Sequence, residues 1–264
     1  MTNTNIHTFV ELTGTIMKTI KKLVLLCIFI QHFGVLEAQK GFEFAPIFQG
    51  QNTWLLNQAD NDAGGELDFK ATWNIAYGVM MGYGFHDRHG IRVGAYISNQ
   101  GQNYITDDVF VRLPSTKYYT QSQYLQIPVM YRYNGRLDLN NSAFILEVGP
   151  QFGMLQWAKA TEVLVDNNYD KAFLLPEYNC TQCYNSMDIQ ARLGIGILAR
   201  FSTKLHMNAM LNLNYSLQDI ETEAGKRTPD RPITRNAVVG LNVGLFLLLG
   251  GPNMALKLPK DRGL

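Results

Sequence analysis

The chain has 264 residues, 46% of them hydrophobic, a formal net charge of +1 and a mean hydropathy of −0.10. Near neutrality gives no support to nucleic-acid binding, which needs a basic face, and nothing beyond the amino-terminal region approaches the apolar run that a spanning helix requires. The mean hydropathy does not decide against a membrane, because strands with one oily and one polar face average out.

Residues 1–38 read as an export signal. Lys18, Lys21 and Lys22 precede an apolar run at 23–30, and Leu36, Glu37 and Ala38 offer a small residue before a cut at Gln39. Met17 offers an alternative start. A retained anchor is the competing reading, but the apolar core is short for one. Cys27 follows Leu26 inside that core, without the small preceding residue of a lipoprotein site, and leaves with the signal. Cleavage leaves 20 basic residues facing 20 acidic ones.

From there the chain alternates with a period of two, the mark of a strand whose side chains leave on opposite faces. Residues 42–49 set Phe42, Phe44 and Phe48 against Glu43 and Gln49. Residues 73–85 put Trp73, Ile75, Tyr77, Val79, Met81, Tyr83 and Phe85 on one face and three glycines on the other. In 91–102, Ile91, Val93, Ala95 and Ile97 oppose Arg92, Tyr96 and Ser98, and in 119–133, Leu125, Ile127, Val129, Tyr131 and Tyr133 oppose Gln126 and Arg132. Residues 143–156 set Phe144, Leu146, Val148, Phe152 and Met154 against Glu147 and Gln151; Trp157 falls out of phase and receives no face.

The segment 186–201 is the clearest, with Met187, Ile189, Ala191, Leu193, Ile195, Ile197, Ala199 and Phe201 backed by Asp188, Gln190, Arg192 and Arg200. Residues 205–218 and 237–249 repeat the pattern with asparagines and glycines inside. Eight such segments predict an all-β fold, an eight-stranded antiparallel up-and-down transmembrane β-barrel spanning 39–249, with lipid outside and a polar lumen. Long links at 50–72, 103–118, 158–185 and 219–234 alternate with short ones, so the short turns are periplasmic and the long loops extracellular. Asn134 and Gly135 suit a turn because both tolerate positive φ. Tyr83, Phe85, Tyr131, Tyr133, Phe144 and Phe201 form a periplasmic aromatic girdle, with Trp73 and Tyr215 at the other interface.

An eight-stranded lumen holds only its own side chains, so its charges must pair. Glu43, Arg92, Arg132, Glu147, Asp188, Arg192 and Arg200 are expected to form a lumen charge network, with Arg132 and Glu147 meeting diagonally across one hairpin. A plug of ion pairs is favoured over a gated ion path. Cys180 and Cys183 (C-T-Q-C) lie in the long loop before the sixth strand, in an oxidising compartment; a loop disulfide is favoured over free thiols or a redox motif. His86, His89 and His206 all fall at periplasmic turns, with no further ligands to suggest a metal. No G-x-S-x-G, H-E-x-x-H or phosphate-loop motif appears, and no histidine is available near the outer rim, so neither an enzyme nor a cofactor is expected.

The stretch Tyr124-Leu125-Gln126-Ile127-Pro128-Val129-Met130-Tyr131-Arg132-Tyr133, the Gly149-Pro150-Gln151-Phe152-Gly153 element, and the strands 188–196 and 236–248 resemble the PorT-like outer-membrane β-barrel domain of the Bacteroidota. The resemblance covers roughly 39–249 and implies an eight-stranded outer-membrane barrel, in some members linked to type IX protein secretion. The tail 250–264 and the C-T-Q-C loop depart from that family pattern. The expectation is a small outer-membrane protein with a structural or partner-binding role, in contact with outer-membrane lipid and with a periplasmic or membrane protein as candidate partner. A type IX secretion accessory and a soluble lipocalin-like carrier are the alternatives; the carrier would carry its apolar residues inside.

Overall fold

The structure, a computed structural model, describes residues 41–62, 67–86, 88–106, 115–135, 142–166, 171–202, 204–226 and 231–249. The export signal at 1–38 and the tail 250–264 lie outside the described residues.

Eight long strands build the fold: β1 (Gly41–Leu56), β2 (Thr72–Gly84), β3 (His89–Thr106), β4 (Ser115–Asn134), β5 (Ser142–Asp166), β6 (Met187–Arg200), β7 (Leu205–Ser216) and β8 (Arg235–Leu249). Each pairs antiparallel with its neighbours in sequence, and β8 returns to β1 in a register that runs from Phe42 opposite Leu249 to Leu56 opposite Arg235. The ring is closed, which removes the edge strands whose unpaired N–H and C=O groups could not be tolerated in lipid.

The two faces are sorted as the alternation demands. Trp73, Met81, Ile197, Leu211 and Leu241 are exposed on the outside, whereas Glu43, Arg92, Gln126, Glu147 and Asp188 are buried within. A carrier with an apolar interior would show the reverse. The interior is nevertheless less polar than expected: Ala45, Ile47, Met80, Tyr96 and Phe246 cluster on one side, and Ala143, Ile145, Leu198 and Met210 on another. Each of these occupies an inward position, where a narrow lumen rewards volume as well as charge.

At the short-turn end the aromatic residues stand outward, with the Phe42 and Tyr83 rings 5.0 Å apart and Tyr131 beside His89. The turn geometry differs from expectation at Asn134 and Gly135. Asn134 is the last residue of β4, and the Gly135 N–H donates to the Phe144 carbonyl at 2.7 Å, extending the ladder. Among the described glycines the positive φ belongs to Gly101, at 148°, where an added Cβ would lie 1.9 Å from the Thr120 carbonyl oxygen.

At the opposite end the sheet rises past the apolar belt. Strands β3, β4 and β5 run for 18, 20 and 25 residues, so much of what reads as loop at 103–118 and 158–185 is wall. Beyond the belt polar residues occupy both phases of β3 and β4, and β5 shifts its phase, so the alternation that marks a strand is lost while the backbone pairing continues. Short strands from the loops extend this wall: Leu67–Lys70 pairs with the end of β3, and Lys171–Leu174 and Tyr178–Asn179 pair with β5.

Trp157 is explained by a bulge. Gln123 pairs with Trp157 but Tyr124 pairs with Leu155, leaving Gln156 as an extra residue in β5. The insertion flips the phase, so Ala158 and Ala160 point inward and Trp157 stands outward with Lys159, whose Nζ lies 5.5 Å from its ring.

Leu241 and Leu211 pair near mid-height on the outer face. Leu241→Arg should lower stability by about 2–4 kcal/mol in urea unfolding from lipid vesicles, the cost of a cation at mid-bilayer. Ile233→Arg, at an exposed site beyond the belt, should be nearly neutral; equal costs at the two positions would contradict this placement.

Candidate functional site

Inside the barrel the buried charges form two layers. Toward the short-turn end, Glu43 of β1 accepts from Arg92 Nε of β3 at 2.6 Å and from Arg132 Nη1 of β4 at 2.6 Å, while Arg92 Nη1 donates to Glu147 of β5 at 2.5 Å. Two carboxylates thus balance two guanidiniums, all four side chains being buried. That balance is what makes burial tolerable, since an isolated charge there would cost several kcal/mol.

Glu43 and Arg92 lie on strands that are not adjacent. Between them in the ladder stands Gly82 of β2, opposite both. A Cβ on Gly82 would come within 2.3 Å of the Glu43 Oε1 atom, so the missing side chain is the passage through which the carboxylate reaches across β2. Arg132 and Glu147 face each other directly rather than diagonally, and Arg132 turns its guanidinium to Glu43.

His206 departs from its expected place. It is the second residue of β7, not a turn residue; its ring stacks on Phe246 with centroids 5.3 Å apart, and Nε2 lies 3.2 Å from Glu43 Oε2. Arg92 also sits over Phe246, 3.9 Å from the ring centroid. The two-residue period sets His206 inward with the asparagines of its strand; that it and Phe246 lie beside a glutamate and an arginine of other strands emerges only from the ring's register.

The second layer joins Arg192 to Asp188 through two amides. Arg192 Nη1 donates to Gln151 Oε1 at 2.7 Å, Gln151 Nε2 donates to Gln190 Oε1 at 2.7 Å, and Gln190 Nε2 donates to Asp188 Oδ2 at 2.6 Å. Tyr96 adds a hydroxyl donor to Gln151, and Ser216 and Asn236 donate to Asp188. A parallel chain runs Asn212 to Gln49 to Gln51 to Ser98. These glutamines and asparagines fill the lumen as much as the charges do, and the inward phase of Gln49, Gln126, Gln151 and Gln190 was their signal. Arg200, half-buried at the end of β6, forms no ion pair among the described residues and joins neither layer.

At the long-loop end Arg231 clamps two loops. Its Nη1 and Nη2 reach the two oxygens of Asp60 at 2.9 Å each, and its Nε reaches Glu221 at 2.9 Å. Asp60 is positioned by a helical turn, Gln58–Asp62, that follows β1. Cys180 and Cys183 are joined by a disulfide spanning a 3-10 turn. His86 and His89 remain at the β2–β3 turn, their rings 5.5 Å apart, with Asp87 outside the described residues. Among the described residues no cluster of His, Cys, Asp or Glu is arranged to hold a metal ion.

The sequence matches the family described as outer membrane protein beta-barrel domain over residues 39–221. Among solved structures it is similar to Ail of Yersinia pestis in complex with the heparin analogue sucrose octasulfate, at 8% identity, covering 80% of this chain and 100% of that one with a TM-score of 0.38. OprG of Pseudomonas aeruginosa is 10% identical, with 81% and 99% covered and a TM-score of 0.45. Neisserial surface protein A is 10% identical, with 78% and 96% covered and a TM-score of 0.38. No curated protein matches the sequence.

Removing one partner of the neutral cluster is costlier than removing a charge that has no carboxylate neighbour. Glu43→Gln should cost about 3–5 kcal/mol in equilibrium urea unfolding, because two buried guanidiniums lose the negative charge they share. Arg192→Met, whose guanidinium meets an amide and the Tyr96 ring, should stay within about 1 kcal/mol of the unaltered protein. The reverse ranking would show that the ion pairs do not dominate.

Proposed function

Because this chain belongs to the outer membrane protein beta-barrel domain family and resides in the outer membrane, we propose that it is a closed, non-conducting barrel with a structural or partner-binding role, working through its extracellular end. The observation that carries this reading is the filled lumen: Arg92 is 1% exposed, and Gln126, Gln151 and Phe246 are 0% exposed, on inward positions distributed around the ring. An ion would have to displace both the neutral charge cluster and the amide chains above it, each of which holds residues from several strands. Side chains locked this way make the barrel a rigid support for whatever its loops present.

The extracellular end suits presentation. Three strands rise beyond the belt, Arg231 ties the segments carrying Asp60 and Glu221 together, and the disulfide braces the loop after β5. Catalysis forms no part of the proposal: His86, His89 and His206 all lie toward the periplasmic end, away from substrates arriving at the outer rim. The likeness of residues 124–133 to PorT-like barrels supports a narrower proposal, an accessory part in type IX secretion, and a deletion strain with unchanged secreted proteins would overturn it.

Purified full-length protein reconstituted in planar bilayers should give no unitary conductance at any applied voltage. Reproducible channel openings, abolished when the protein is omitted, would refute the closed-barrel reading.

A further inference from the structure

Above the plugged lumen, an open cavity of about 340 Å³ lies between the rising strands and the disulfide loop. Five tyrosines border it, Tyr104, Tyr118, Tyr119, Tyr178 and Tyr184, of which Tyr119 stands on the outward phase of β4. Its charged lining residues are Asp60, Glu221 and Arg231. The single guanidinium is engaged by both carboxylates, three of its nitrogens donating to them at 2.9 Å. The described lining therefore carries a surplus of one negative charge beside a dense group of aromatic rings.

That combination selects by charge. An anion meets two carboxylates and an arginine that is already satisfied. A neutral polyol gains nothing from the excess charge, and each Asp60 oxygen already accepts one hydrogen bond from Arg231. A cation gains from the excess charge and from the negative faces of the rings, the arrangement by which aromatic cages hold ammonium groups. Burial first, and then the charge of Asp60, push the Tyr104 phenol above its ordinary value, consistent with a negative field at this site. The walls are held in place by the Arg231 clamp and by the Cys180–Cys183 bridge, so little ordering accompanies binding.

We propose that this mouth cavity binds a small free organic ammonium ion, held by the tyrosines and by the net negative Asp60–Arg231–Glu221 group. The proposal does not depend on the lumen being closed.

Titration calorimetry on the full-length protein, in a polyoxyethylene detergent that carries neither ammonium nor sugar, tests it with choline as probe. Choline should bind saturably, while 3,3-dimethylbutan-1-ol, its neutral isostere, should bind at least about tenfold more weakly. O-phosphocholine should also bind more weakly than choline, because its phosphate faces two carboxylates. Tyr178→Leu, at an exposed rim position, and Tyr118→Leu, on the inward phase of β4 opposite Tyr104, should each weaken choline about fivefold, with the urea-unfolding midpoint reporting that the barrel is intact. The proposal is overturned if choline does not bind, if the neutral isostere or phosphocholine binds as tightly, if methyl glucoside binds in its place, or if both tyrosine variants bind choline unchanged.

Discussion

The constraint on which everything else rests is the width of an eight-stranded ring. Such a ring leaves no room for bulk water, so inward side chains must be packed and a fully enclosed charge must find a partner within the wall itself. Glu43 meets this demand for two arginines at once, and Glu147 completes the neutral set. The residues come from β1, β3, β4 and β5, so the cluster fastens together half the circumference of the barrel.

Glycine is what lets a narrow lumen hold long side chains. At Gly82 the absent Cβ is the space that the Glu43 carboxylate occupies on its way to Arg92. The upper layer solves the same problem with amides, which can donate and accept in one side chain. Gln151 and Gln190 carry the field of Arg192 toward Asp188 without bringing the two charges into contact. The interior is thus a set of spanning hydrogen-bonded chains interrupted by small apolar clusters such as Ala143, Ile145, Leu198 and Met210.

The two ends of the barrel are built on different principles. At the periplasmic end, where the links between strands are short, Tyr83, Phe85, Tyr131 and Phe144 stand outward, which suits the membrane interface. The extracellular end continues the hydrogen-bonded wall beyond the lipid, then uses an arginine clamp and a disulfide to hold loop segments. Rigid support below and polar, tyrosine-rich surface above are the physical basis for proposing that this end is the working face.

Within the apolar belt the sequence alone determined the fold, because lipid outside and a filled lumen inside impose a two-residue period that each strand must write out in full, from Phe42, Phe44 and Phe48 to Leu245, Leu247 and Leu249. It also marked Glu43, Arg92, Arg132 and Glu147 as inward, since their phase is opposite to that of the oily residues. Beyond the belt that period fades, because polar residues occupy both phases of β3 and β4 while β5 shifts its phase, and the extracellular reaches of these strands were therefore invisible as strands. The bulge at Gln156 breaks the phase locally, and only the paired strand β4 reveals where Trp157 points. Which inward charges meet was decided by tertiary structure: ring closure and register bring Glu43 to Arg92 across a glycine, bring His206 and Phe246 beside them, keep Asp188 and Arg192 in a separate layer and leave Arg200 outside both. Partners on strands distant in sequence leave no local pattern, because their contact depends on the curvature and stagger of the whole ring.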